Sequence, residues 1–402
     1  TIRDRTRLRL LVKRLVLLAV LAVLVAIGAT SGAPAGGAAQ VPDFVIPGPA
    51  NSFLPKCATM PDPRRRACYI RGLLAAVEES GNPAQSLPQI DRRVRANGGF
   101  LYAWCHMLMH DVGRTWARRH GVTLENLYRY VPRSNDPGCS AGFGMGMVMH
   151  LGGELISKPR AVLGTCTRLA TRFREYTCVH GSGHAFMRGF HSKLAFAVEA
   201  CRTLGARLAP DCAQGAYHDY WISLGGGDGT KRPPKAVTNP RSVCGRSGYP
   251  VSCWYRFFLE RDPDVPAEGA QDLLRLCRGL ESLQRTGCLA GASLLMAGRR
   301  DPIDHARTCT SLPGGDALSC LRGVNVPALA GSEWEQSNLL RVCSRLGRTT
   351  RYGCYLWFGQ TLAVVTDGRF ARTGCPTLQT ALARRACAAG ARRVDGPLRT
   401  FS

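Results

Sequence analysis

The sequence predicts an all-α protein, an α/α solenoid of disulfide-stapled helical hairpins that follows an N-terminal signal or anchor helix. Three observations carry this. The 18 cysteines fall in nine consecutive pairs, and eight of those pairs are separated by only 9 to 12 positions. From Cys166 onward the first members recur at steps of 35, 43, 33, 32, 34 and 32 residues, the period of a two-helix repeat unit. Six of the nine second cysteines, Cys139, Cys178, Cys212, Cys288, Cys320 and Cys387, open a Cys-x-x-Gly run that leads into an apolar stretch.

The chain opens on a cationic segment from Arg3 to Arg14, then an apolar run from Leu15 to Ile27, then mostly small residues from Gly28 to Ala39. That order is an export signal. The apolar run is long for a cleaved signal and short for an unaided span of a hydrocarbon core about 30 Å thick. It suits both a signal peptide cut near Ala33-Pro34-Ala35 and a retained membrane anchor with its N-terminus in the cytoplasm. Residues 1–30 are assigned to this signal or anchor and the Gly-, Ala- and Pro-rich residues 31–55 to a flexible linker. Residues 56–160 are read as atypical His- and Met-rich helical repeats, and 161–395 as the regular Cys-paired repeats. Either fate of the N-terminus leaves the bulk exported, at the extracellular, cell-surface or periplasmic side, where disulfides persist.

Within a repeat, the first cysteine closes one helix, as in Ala270 to Cys277, and the second starts the next. A glycine three positions after that cysteine puts a bare backbone on the same helix face one turn later, which lets a neighbouring helix approach. Each disulfide then staples the two helices of a hairpin, worth on the order of 2–3 kcal/mol in the chain-entropy account. The one long step, from Cys201 to Cys244, carries its surplus in the loop-forming stretch Gly225 to Pro234. Cys105 and Cys139 are the odd pair, 34 apart; they need not be bonded to each other, and a thiolate ligand from one of them is an alternative.

The formal charge of +25 is nearly all arginine, since lysine occurs at six positions. About +20 remains once the first 29 residues are removed, which favours a protein or an anionic polymer at the cell surface as partner, and the membrane itself if the N-terminal helix is retained. Nucleic acid is disfavoured because the arginines are scattered rather than gathered into a base-reading motif.

Gly287-Cys288-Leu289-Ala290-Gly291-Ala292-Ser293-Leu294-Leu295-Met296-Ala297-Gly298, with Ala306-Arg307-Thr308-Cys309 closing the next helix, resembles the Sel-like α/α repeats related to the tetratricopeptide repeat, in particular their cysteine-rich secreted branch. The resemblance covers residues 160–390. It departs at Cys253-Trp254-Tyr255-Arg256, which lacks the glycine. It implies a protein-binding scaffold rather than catalysis.

Eight of the nine histidines lie between positions 106 and 218. His106 and His110 form an i,i+4 pair, and so do His180 and His184 in Cys178-Val179-His180-Gly181-Ser182-Gly183-His184. Such pairs share a helix face, and four imidazoles suit zinc, copper, iron or nickel. Six residues after successive second cysteines stand Met145, His184 and His218, flanked by apolar residues in the neighbouring units, so a polar ladder interrupts an apolar stripe. Met145, Met147, Met149 and His150 add soft ligands that suit copper. The competing reading makes these residues core: methionines fill gaps and buried histidines donate to carbonyls. His218-Asp219 could orient an imidazole, although a solvated helix face is the preferred place for Asp219. A hydrolase elbow at Ser182 is rejected, because its glycines flank at one residue rather than two.

The leading function is an extracytoplasmic binding scaffold with a transition-metal site, copper or zinc, in its first half. The candidate ligands are His106, His110, His180, His184, His218, Met145 and His150. The alternatives are a metal-dependent redox or hydrolytic enzyme built on the histidines, and a copper-handling protein without turnover.

Overall fold

Four helices of the repeats begin where a side chain satisfies free backbone amides. Thr171 accepts from the Arg174 amide and Thr380 from Ala383. Asn239 and Asp301 cap helices whose next residue is proline. Such caps and an N-terminal proline each favour helix initiation. The computed structural model describes residues 54–61, 64–97, 99–132, 138–169, 171–225, 239–261, 269–280, 282–297, 301–324, 333–366 and 368–392. The signal or anchor segment and most of the linker lie outside the described residues. Among the described residues there is no strand, and no helix is long and apolar enough to cross a membrane. The described residues belong to one compact unit.

The fold is all-α and repeats the hairpin expected from the cysteines. A first helix, such as Leu194–Arg202 or Pro302–Cys309, ends at or beside the first cysteine. A second helix, such as Gly205–Gly225 or Gly314–Leu321, contains the second cysteine. All nine consecutive pairs are bonded and no cysteine is free. That includes Cys105 and Cys139, whose sulfurs are 2.05 Å apart, so the alternative of a thiolate ligand from either is withdrawn. Nine intramolecular disulfides belong to an oxidising, extracytoplasmic environment.

From Cys139–His150 onward each second helix packs on the second helix of the next hairpin, and Gly99–Arg119, which carries the first cysteine Cys105, packs on Cys139–His150. The row runs from Gly99–Arg119 and Cys139–His150 through Arg172–Gly189, Gly205–Gly225, Pro250–Arg261, Ser282–Ala297, Gly314–Leu321 and Arg348–Val365 to Ala381–Ala391. The core follows this row, with Trp116, Phe143, Phe186, Trp221, Phe258 and Phe358 fully buried along it. Glycine makes the row tight where it matters for the histidines. A Cβ on Gly146 would lie 2.3 Å from the His110 carbonyl oxygen, and one on Gly215 would lie 1.9 Å from that of His180. Only a residue without a side chain permits such backbone contact.

Candidate metal centre

Three helices of this row carry the histidines, and their packing brings them to one place. His106 and His110 come from Gly99–Arg119, His180 and His184 from Arg172–Gly189, and His218 from Gly205–Gly225. The ring centroids of His184 and His218 are 4.6 Å apart, those of His110 and His184 5.1 Å, and those of His180 and His218 5.6 Å. His106 Nε2 lies 3.2 Å from His110 Nε2. His110, His180, His184 and His218 are buried and His106 is half-buried. One ring nitrogen each from His180, His184 and His218 falls within 4.8 Å of the other two.

The outer nitrogens of those three rings meet groups that fix their tautomers. His184 Nδ1 is 3.3 Å from Asp219 Oδ1, and His218 Nε2 is 3.1 Å from Glu260 Oε1. A carboxylate can only accept, so His184 turns its Nδ1–H outward to Asp219, and a proton on His218 Nε2 would face Glu260 in the same way. His180 Nδ1 sits 3.4 Å from the Tyr176 hydroxyl, which donates to Gln214 Oε1 at 2.5 Å, and so His180 also points its N–H outward, to the Tyr176 oxygen. The nitrogens left over are His180 Nε2, His184 Nε2 and His218 Nδ1. His184 Nε2 is buried and has no hydrogen-bond partner. His180 Nε2 and His218 Nδ1 stand 3.3 Å apart. Two imidazole nitrogens bound to one tetrahedral ion at 2.0–2.1 Å would be separated by about 3.3 Å.

Electrostatics keeps the rings neutral. Burial, with the positive charge of Arg256 and the neighbouring imidazoles, holds His180 and His218 well below the ordinary histidine value. Burial likewise lowers His110 and, against the opposing pull of Asp219, His184. Neutral imidazoles are the form that binds metal. Burial raises the Glu260 carboxyl, and Arg256 opposes that rise. The Arg256 guanidinium donates to His180 Nε2 at 3.3 Å, to Gln214 Oε1 at 3.4 Å and to Glu260 Oε1 at 3.1 Å.

Of the expected ligands, the five histidines converge, whereas the remaining two occupy other surroundings. Met145 is buried and backs onto Arg172–Gly189 at Gly181. His150 stands in the wall of a neighbouring cavity. Asp219 does not lie on a solvated face, contrary to expectation: its side chain is 13% exposed and it orients His184 rather than the adjacent His218. Tyr176, Gln214, Arg256 and Glu260 were not singled out from the sequence. The available signal was Arg256 itself, which stands where other repeats have the Cys-x-x-Gly glycine.

A second group that brings ligand atoms together, His305, Cys309 and Cys320, is not a comparable site. Its two sulfurs are consumed in a disulfide. His305 Nε2 is occupied at 2.6 Å by Ser293 Oγ, which also contacts the Cys320 carbonyl.

No family model matches the chain, and no characterised protein and no solved structure aligns with it. Fold and site together define a class: an all-α protein of repeated disulfide-stapled helical hairpins with a buried histidine cluster whose groups could hold a metal ion.

Proposed function

We propose that the chain is an exported helical scaffold holding a transition-metal ion, zinc or copper, on His180, His184 and His218, with His106 and His110 beside them. One observation carries the reading. Three buried imidazoles, each with Tyr176, Asp219 or Glu260 beside one of its nitrogens, offer a ring nitrogen apiece within 4.8 Å of the other two. Outer partners of that kind set the tautomer and basicity of metal-bound histidine. Because every cysteine is in a disulfide, the set is nitrogen-based, which suits zinc or copper(II) rather than the thiolate-rich structural sites.

Arg256 is the group that opposes a cation here. Its contacts to Glu260 and Gln214 let it release His180 Nε2 to the ion without being stranded, and Asp219 and Glu260 balance Arg188 and Arg256 in charge. Three protein imidazoles with coordination positions left over match catalytic zinc sites more than closed structural ones, so the metal-dependent enzyme is the form of this reading to assay. The basic surface of the exported repeats supports an acidic protein or anionic polymer as its partner.

The test is elemental analysis of the exported domain, purified without chelator or histidine tag, beside a His184→Ala/His218→Ala variant. Near-stoichiometric zinc or copper in the parent and its loss in the variant is the expected result. Equal metal in both, or none in either, returns the imidazoles to the core.

A further inference from the structure

Two of the ligand-bearing helices continue past the histidines into a basic cavity of about 460 Å³. Its walls include Arg114, Arg118, Arg188 and His150, with Thr115 and Met149, and no acidic residue lines it. Arg114 stands four residues after His110 and Arg188 four after His184, so each arginine is about 6 Å of helix rise, roughly one turn, beyond a histidine on the same face. Asp219 ties the two places together, since the same Oδ1 is 3.3 Å from His184 Nδ1 and 3.9 Å from Arg188 Nη2.

The cavity is more positive than its ion pairs require. Asp111 engages Arg114 at 2.8 Å and Asp219 lies near Arg188, whereas no ion pair of Arg118 is found among the described residues. The Arg188 Nε–H is buried without a hydrogen-bond partner. Three guanidiniums around one space provide several forked donors. A lone carboxylate is satisfied by one such fork, whereas a phosphate group, with more oxygens and up to two charges, uses several. The volume falls within the range of sites that hold small molecules rather than a bare ion.

We infer that this cavity binds the phosphate group of a small phosphorylated molecule beside the histidine cluster. Calling that molecule the substrate of the metal centre rests on the function proposed above; the phosphate site itself does not.

The test is calorimetric titration of the full exported domain with inorganic phosphate at about 0.15 M salt, where remote surface charge is largely screened, with metal content measured on the same samples. The parent binds, and an Arg114→Gln/Arg118→Ala variant binds at least tenfold more weakly. Arg119→Ala, whose guanidinium faces Glu78 instead, binds as the parent does. Arg118 is exposed and Arg114 half-exposed, neither in the core, so folding is retained. A second arm presents phosphatidate vesicles. Vesicle binding with the same arginine dependence assigns the phosphate group to a lipid, and phosphate binding alone assigns it to a soluble ester. No phosphate binding by a metal-loaded parent, or equal binding by the double variant, overturns the inference and leaves the metal centre standing. Absence of metal with arginine-dependent phosphate binding does the reverse.

Discussion

Gly215 is the position where one methyl group should separate the metal centre from the scaffold that builds it. Its added Cβ would lie 1.9 Å from the His180 carbonyl oxygen and 2.9 Å from the carbonyl carbon, both backbone atoms that cannot rotate away. Ordinary contact begins at 3.4 Å, so Gly215→Ala must part Arg172–Gly189 from Gly205–Gly225 by about 1.5 Å. Overpacking of this kind costs about 1–3 kcal/mol. His180 and His218 sit on those two helices with donor nitrogens 3.3 Å apart, a spacing that metal ligands tolerate only to about 0.2 Å. The assay is a thermal melt with and without added zinc or copper. The parent should gain about 2.7 kcal/mol at a free metal concentration 100 times the dissociation constant. Gly215→Ala should melt lower and lose that gain. Gly323→Ala is the control, because its Cβ would lie 2.2 Å from the Ala290 carbonyl oxygen, in repeats remote in sequence from the clustered histidines. It should melt lower and keep the gain. Retention of metal-dependent stabilisation by Gly215→Ala, or its loss in both variants, would refute the argument.

Three further outcomes follow from the same geometry. Asp219→Asn should weaken metal binding by about 10–100-fold while leaving the fold intact, as expected for loss of the carboxylate that orients a ligating imidazole; competition against a chelator reads this, and unchanged affinity would remove Asp219 from the site. In the metal-free protein, His110, His180, His184 and His218 have folded values below the unfolded value of about 6.5, so the unfolded chain binds more protons on acidification. Their contribution is complete above about pH 6.5 and declines below it by about 1.4 kcal/mol per pH unit per imidazole. Denaturant unfolding at pH 7.5 and 5.5 measures this, with an unchanged midpoint as the contrary result. Reductant should lower the thermal midpoint sharply, because each short staple contributes on the order of 2–3 kcal/mol; an unmoved melt would show that the disulfides do not support the hairpins.

The sequence alone determined the hairpins, because their signals are local. Paired cysteines 9 to 12 positions apart cannot reach other partners as easily as each other, and the regular period announces the stack. The role of Gly215 and Gly142 as contact points was legible for the same reason, since a Cys-x-x-Gly run fixes a face within one turn. Each histidine pair at i,i+4 was legible too, and the alignment that put His184 next to His218 held, with ring centroids 4.6 Å apart.

What only the tertiary structure decided is everything that depends on how far and at what angle one hairpin stands from the next. Cys105 and Cys139, 34 positions apart, could have stayed apart; packing of Gly99–Arg119 on Cys139–His150 bonds them. The same packing carries His106 and His110 to a cluster whose other members lie 70 or more residues away in sequence. Arg256 and Glu260 enter from a further hairpin, 38 and 42 positions after His218. Asp219 turns to His184 on a neighbouring helix rather than to solvent, which no local rule could assign. The groups beside the outer nitrogens of His184 and His218, Asp219 and Glu260, come from other helices, whereas Tyr176 shares a helix with His180. Spacing along a helix names the candidates for a site, and only the distance between helices makes them one.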